Sequence, residues 1–169
     1  MPDSVMHPFR PIWNENCQVL ILGSMPSVQS RSRGFYYANP QNRFWLVIAA
    51  LFHSEVPTDD QSRRRLLLDH HIAIWDVLEN CDIEGSADSS IRNPKVHDLS
   101  PMLTGSPIRQ IYANGQTAAR IYARYLEPIT GRLCITLPST SPANGRFNLA
   151  GLVDAWQIIL HDLELQGFL

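Results

Sequence analysis

Apolar positions along the chain follow two periods. Short apolar-rich runs at 18–22, 72–75, 108–113 and 133–137 have the length of buried strands, and the first ends at Gly23. Between them, apolar residues recur three and four apart. Phe44, Val47, Ile48, Leu51 and Phe52 stripe 41–52, and Ala118, Ile121, Tyr122 and Tyr125 stripe 115–126, so both segments are predicted helices. Asp59 and Asp60 can cap another helix running to His70, with Arg63, Arg64 and Arg65 near its start. Leu149, Leu152, Val153, Trp156, Ile159, Leu160 and Leu163 mark a last helix that Gly167 can terminate. Strands alternating with helices predict βαβ units. The expected fold class is α/β, a three-layer α-β-α sandwich around a central, mainly parallel four-stranded sheet. Residues 1–169 show no repeat or linker and are expected to form a single domain. The polar stretch 79–95 is expected to be a long loop.

Composition narrows the class further. The chain has 169 residues, 44% hydrophobic and 18% charged, which suits one domain with a sizeable core and excludes a disordered chain. No apolar run is long enough to cross a bilayer, and the first residues lack the pattern of a signal peptide. Three scattered cysteines, Cys17, Cys81 and Cys134, with no CxxC spacing, argue against a disulfide framework or metal cluster and fit a reducing cytoplasm. The six histidines show no metal-ligand spacing, so neither metal nor cofactor is expected. The net charge of −2 conceals an asymmetry. Residues 1–54 hold four Arg against two acids, whereas 55–100 hold ten acids against five bases. A basic face on an acidic chain is compatible with nucleic-acid binding.

Ligands of parallel sheets bind beyond the carboxyl ends of the strands. Four segments fall at that edge: 23–27 (Gly-Ser-Met-Pro-Ser), Asp76, Asn114-Gly115, and 138–142 (Pro-Ser-Thr-Ser-Pro). They offer amides, hydroxyls and backbone N–H groups, with Asp76 the one carboxylate and no charged nucleophile–base pair. After the first turn comes Phe35-Tyr36-Tyr37-Ala38-Asn39-Pro40-Gln41-Asn42-Arg43-Phe44-Trp45. The helical spacing of Phe44 and Trp45 marks them as core. Tyr36, Tyr37 and Asn39 precede the helix and can present aromatic faces and an amide to a ligand.

These segments resemble the uracil-DNA glycosylase superfamily. A strand, a Gly-x-x-Pro turn, an aromatic segment and Asn-Arg-Phe-Trp resemble its mismatch-specific branch, and 137–144 (Leu-Pro-Ser-Thr-Ser-Pro-Ala-Asn) resembles the second motif of the superfamily, a loop inserted into DNA. Gly-Ser-Met-Pro-Ser together with Tyr-Tyr-Ala-Asn-Pro-x-Asn-Arg-Phe-Trp is most similar to the hypoxanthine-DNA glycosylase branch. The stretches 76–78 and 85–93 also resemble that branch, Asp88 being best read as a helix cap. The resemblance implies a DNA base-excision repair enzyme that flips out a deaminated base and hydrolyses its N-glycosidic bond. Hypoxanthine in deoxyinosine is the first candidate and uracil the alternative. A non-catalytic nucleic-acid-binding domain is a third reading, because Met25 stands where most of the superfamily has a catalytic Asp or Asn.

The site residues that the resemblance implies follow by position. Asn39 is the expected catalytic residue. Tyr37 is expected to stack on the flipped base, the backbone at Ser24 and Met25 to meet a base carbonyl, and Asn114 to read the base edge. An Asn-Gly turn explains Asn114 equally well. Ser27, Ser139, Thr140, Ser141, Asn144 and Arg146 are expected at the DNA, although a capped loop before the last helix also accounts for 139–146. The implied partner is duplex DNA with a deaminated base, bound by a monomer, with no membrane partner. Among 14 basic side chains there is one lysine, Lys95, outside the motifs. Glycosylase-lyases attack with an amine, so a monofunctional enzyme using water is favoured.

Overall fold

The computed structural model describes residues 3–83 and 91–167. Its centre is a sheet of β2 (Val19–Gly23), β3 (Ile72–Asp76), β6 (Gln110–Asn114) and β7 (Cys134–Leu137) in the order β3-β2-β6-β7, with every neighbouring pair parallel. All five residues of β2 are buried, which accounts for its unbroken apolar sequence. Side chains alternate across the sheet. Val19, Ile21, Ile72, Ile74 and Tyr112 enter one core, whereas Leu20, Leu22, Ala73, Ile111 and Ala113 enter the other.

The first core is closed by α2 (Phe44–Leu51), α3 (Asp60–Asp69), α7 (Leu149–Trp156) and α8 (Ile158–Gly167), through Phe44, Leu67, Trp156 and Ile159. The second is closed by α4 (Ser100–Gly105) and α5 (Gln116–Ile121). A π-helical turn at Tyr122–Leu126 extends α5 into α6 (Glu127–Thr130). The result is the expected three-layer sandwich. Helix α3 begins as its acidic residues foretell, with Asp59 accepting from the Ser62 N–H at 2.7 Å.

Several boundaries differ from expectation. Helix α2 starts at Phe44 rather than 41, because the Asn39 carbonyl turns the chain by accepting from Asn42 N–H and Asn42 Oδ1 accepts from Phe44 N–H. The last helical segment is divided at Gln157. A short helix, α1 (Val28–Arg33), follows the first turn. The largest correction concerns the polar stretch 79–95. It holds most of β4 (Leu78–Ile83) and nearly all of β5 (Arg92–Val96), which form with β1 (Asp3–Met6) an antiparallel sheet in the order β1-β4-β5. Both faces of β5 are largely wet, so no apolar alternation marks it. The part of 85–93 assigned to a cap at Asp88 lies outside the described residues.

Helix α7 packs on α2, and its Leu152 is fully buried in the first core. Leu152→Ala is expected to cost about 2–5 kcal/mol of folding stability. Urea denaturation followed by circular dichroism measures it.

Candidate active site

Strand register sets the site. Gly23 pairs with Asp76, Leu22 with Ala113, and Asn114 with Leu137, so the four central strands end together. The turn after β2 is tied to the segment after β3, since Gly23 O accepts from Val77 N–H (2.8 Å) and Ser24 O from Leu78 N–H (3.2 Å). A Cβ at Gly23 would stand 2.3 Å from Asp76 Oδ1 and 3.1 Å from the Tyr37 hydroxyl. Glycine is therefore demanded here by close approach. The Met25 side chain packs beside Leu78 and Cys81, so the turn offers the cavity its backbone and its serines rather than a polar group at position 25. Ser27 caps α1 by accepting from Ser30 N–H at 3.1 Å, so its hydroxyl is already engaged.

The aromatic segment divides between core and pocket. Tyr36 is buried and its hydroxyl donates to Arg10 O (2.7 Å), while Trp45 Nε1 donates to Tyr36 O (3.1 Å). Tyr37 has a positive φ of 51°, uncommon for a bulky residue. Its ring stacks on Phe44 at 4.0 Å between centroids and 18° between planes. Its hydroxyl is buried without a hydrogen-bond partner of good geometry among the described residues. Burial first, and the Asp76 charge second, push its pKa well above the usual phenol range, with nearby Asn114 opposing them. It stays a neutral donor. Asn39 Oδ1 accepts from Gln41 N–H (2.9 Å), so the Nδ2 amide is the donor it can present to the pocket.

The opposite wall is the loop after β7. Thr140 is fully buried and is its hub. Its N–H donates to Asn114 Oδ1 (3.1 Å), Asn114 Nδ2 donates to its Oγ1 (3.0 Å), and that hydroxyl donates to Asn42 Oδ1 (2.9 Å). Thr140 was expected at the DNA. The structure buries it and commits its hydroxyl to Asn114 and Asn42, so it acts as an internal strut of the loop. Arg43 holds the same loop from α2. Its guanidinium donates to the carbonyls of Ser141 (2.9 Å), Asn144 (3.0 Å) and Phe147, and its N–H donates to Thr140 O (3.0 Å). Within the loop, Asn144 Nδ2 donates to Ser139 O (3.0 Å). Trp156 Nε1 anchors its start on Pro138 O (2.9 Å).

Between these walls lies a cavity of about 310 Å³. It brings together Ser24, Met25, Ser27, Tyr37, Asn39, Asn114, Ser139, Thr140 and Ser141, whereas Asn144 and Arg146 lie outside its lining. Asp76 and Asn42 join it. Lys95 does not; it sits on β5, 3.3 Å from Glu79 Oε2. Asp76 is buried and its Oδ2 accepts from His7 Nε2 at 2.7 Å. His97 donates through Nδ1 to Asp76 O (2.7 Å) and stacks on Trp75 at 3.7 Å. Burial lowers the pKa of His97 below the usual imidazole range, which favours a neutral ring there. Sequence reasoning missed the braces Arg43 and Asn42 and the hydrogen bond between His7 and Asp76. Asn42 and Arg43 stood inside a recognised motif, but nothing local pairs His7 with a carboxylate 69 positions away.

A family model for the uracil DNA glycosylase superfamily matches residues 11–160, and the chain belongs to that superfamily. Within it, the chain is 34% identical over 142 residues to a protein of Methanosarcina acetivorans named hypoxanthine DNA glycosylase, covering 83% of this chain and 89% of that protein. A protein of the same name from Methanosarcina barkeri is 29% identical over 140 residues, covering 82% and 87%. The solution NMR structure of a Methanosarcina acetivorans protein, described as a candidate uracil DNA glycosylase, superposes with a TM-score of 0.79 at 32% identity, over 94% of this chain and 98% of that one.

Arg43→Lys keeps the charge but loses the fork that serves several carbonyls at once. Amide hydrogen exchange is expected to accelerate across 139–147 while β2 and β6 keep their protection.

Proposed function

We propose that this protein is a monofunctional DNA glycosylase that removes hypoxanthine from deoxyinosine in duplex DNA. The observation that carries the reading is the cavity at the shared strand ends, walled by the Gly23–Ser27 turn, Tyr37 and the loop after β7. Relatives named for hypoxanthine excision support the choice of base. The flipped nucleotide leaves the stack at a cost of a few kcal/mol, least at a mispair. Stacking against Tyr37, held flat by Phe44, returns about 1–3 kcal/mol. Backbone N–H groups at Ser24 and Met25 meet the base carbonyl. Asn114 reads the base edge with the second N–H and second lone pair that Thr140 leaves open.

Asn39 is the catalytic residue of this reading. As the C1′–N bond lengthens, charge builds on the base and the sugar becomes oxocarbenium-like. The Asn39 amide orients water and donates to the departing base inside a partly enclosed pocket, where such a bond counts for more than in water. Ser139, Ser141, Asn144 and Arg146 hold the DNA backbone next to the cavity, and Ser27 contributes through α1. The protein works as a single-domain monomer. The described cysteines are all free, as a reducing cytoplasm allows, and no described helix is long and apolar enough to cross a membrane.

Labelled duplexes with one deoxyinosine or one deoxyuridine, incubated with excess enzyme, test this reading. Strand breaks are expected at inosine and only after hot alkali. Breaks confined to uracil would move the substrate within the superfamily, and breaks at neither would leave a DNA-binding protein. Asn39→Ala is expected to slow single-turnover release by about 100-fold with duplex affinity kept. Tyr37→Ala should lose more than Tyr37→Phe, because the ring stacks and the hydroxyl is buried.

A further inference from the structure

Hydrolysis moves a proton from water, and most of this cavity cannot receive one. Its described lining is amide, hydroxyl, thioether, proline and backbone, with Tyr37 held as a neutral donor. Asp76 is the one carboxylate among the described lining residues. We propose that Asp76 Oδ1 accepts the proton of the attacking water and that His7 is the positioning residue that aims it. This rests on the reading of the cavity as a base-excision site.

The geometry is that of a built pair. The β2–β3 register sets Asp76 beside Gly23 at the strand ends. His7 Nε2 takes Oδ2, and Oδ1 lies over Gly23, where only a hydrogen leaves it room. His7 is itself fixed. Its Nδ1 lies 2.9 Å from Phe9 O, and the rings of Tyr36, Trp75 and His97 surround it at 4.8–6.4 Å. Both side chains of the pair are almost wholly buried. A buried ionisable pair adds little net stability over an apolar replacement, so stability alone is a poor reason for one at a cavity wall. Other titratable groups around Asp76 are His97, on its carbonyl, and the Tyr36 and Tyr37 hydroxyls, whose pKa values its charge helps to raise.

The step balances with water as the only co-reactant. The water oxygen bonds to C1′, the C1′–N bond breaks, and its electron pair stays on the base. The water proton passes to Asp76 Oδ1 and from there to the base anion. The products are a neutral free base and an abasic sugar with a 1′-hydroxyl, and Asp76 ends as the carboxylate it began as. Asn39 orients the same water without taking its proton.

The test is single-turnover release from a deoxyinosine duplex, with duplex affinity measured alongside. Asp76→Asn keeps the shape and removes the proton acceptor. Its release is expected to fall about 100-fold, with affinity unchanged. Release by Asp76→Asn within about threefold of the unsubstituted protein, well short of that expected loss, overturns the inference and leaves the excision reading intact. No release by the unsubstituted protein overturns both. Should Asp76→Asn not fold, the unsubstituted protein decides through its pH profile. A carboxylate acceptor makes the rate fall about tenfold per pH unit on the acid side, and this limb persists in His7→Gln. A flat acid side overturns the inference.

Discussion

The complete burial of β2 is the constraint on which the rest depends. A strand with apolar residues on both faces must lie between other strands and between two helical layers. Its parallel neighbours then bring Gly23, Asp76, Asn114 and Leu137 to one edge. Asp76 and Asn114, the last residues of β3 and β6, face the cavity directly, and its other polar groups are carried by the segments that leave that edge. The scaffold is a buried sheet, and the chemistry sits at its strand ends and in the segments that leave them.

Those segments are fixed both to one another and to the strand ends. Arg43 joins the start of α2 to the carbonyls of the loop after β7, and Thr140 joins Asn42 to Asn114. The aromatic wall and the loop wall therefore hold a common spacing. Charge-assisted bonds from one guanidinium suit this task, since several carbonyls can share a single planar donor. A loop braced in this way can meet DNA without first being ordered, which lowers the entropic cost of binding.

How much of this was legible in the sequence depended on range. Strands β2 and β3 stood out because buried parallel strands have no polar face to interrupt them. Strands β6 and β7 kept short apolar runs, although β7 is an edge strand and only partly buried. Asp59 announced α3 through a cap that acts within three residues. The second sheet was hidden because β5 is polar and largely wet, and β1 is only four residues long. Position along motifs assembled the cavity-lining candidates Ser24, Tyr37, Asn39 and Asn114. The same reasoning could not tell an exposed hydroxyl from one engaged inside, as the buried Thr140 is with Asn114 and Asn42. The pairing of His7 with Asp76 had no local sign at all.

The central claim is that the cavity at the strand ends holds the excised base. The most direct measurement is a crystal structure of the Asn39→Ala protein on a duplex containing deoxyinosine. The account predicts hypoxanthine turned out of the helix, lying on the Tyr37 ring, with its carbonyl at the Ser24–Met25 backbone and the loop after β7 against the DNA. An inosine still stacked in the duplex, or a base lodged away from Tyr37, would contradict it.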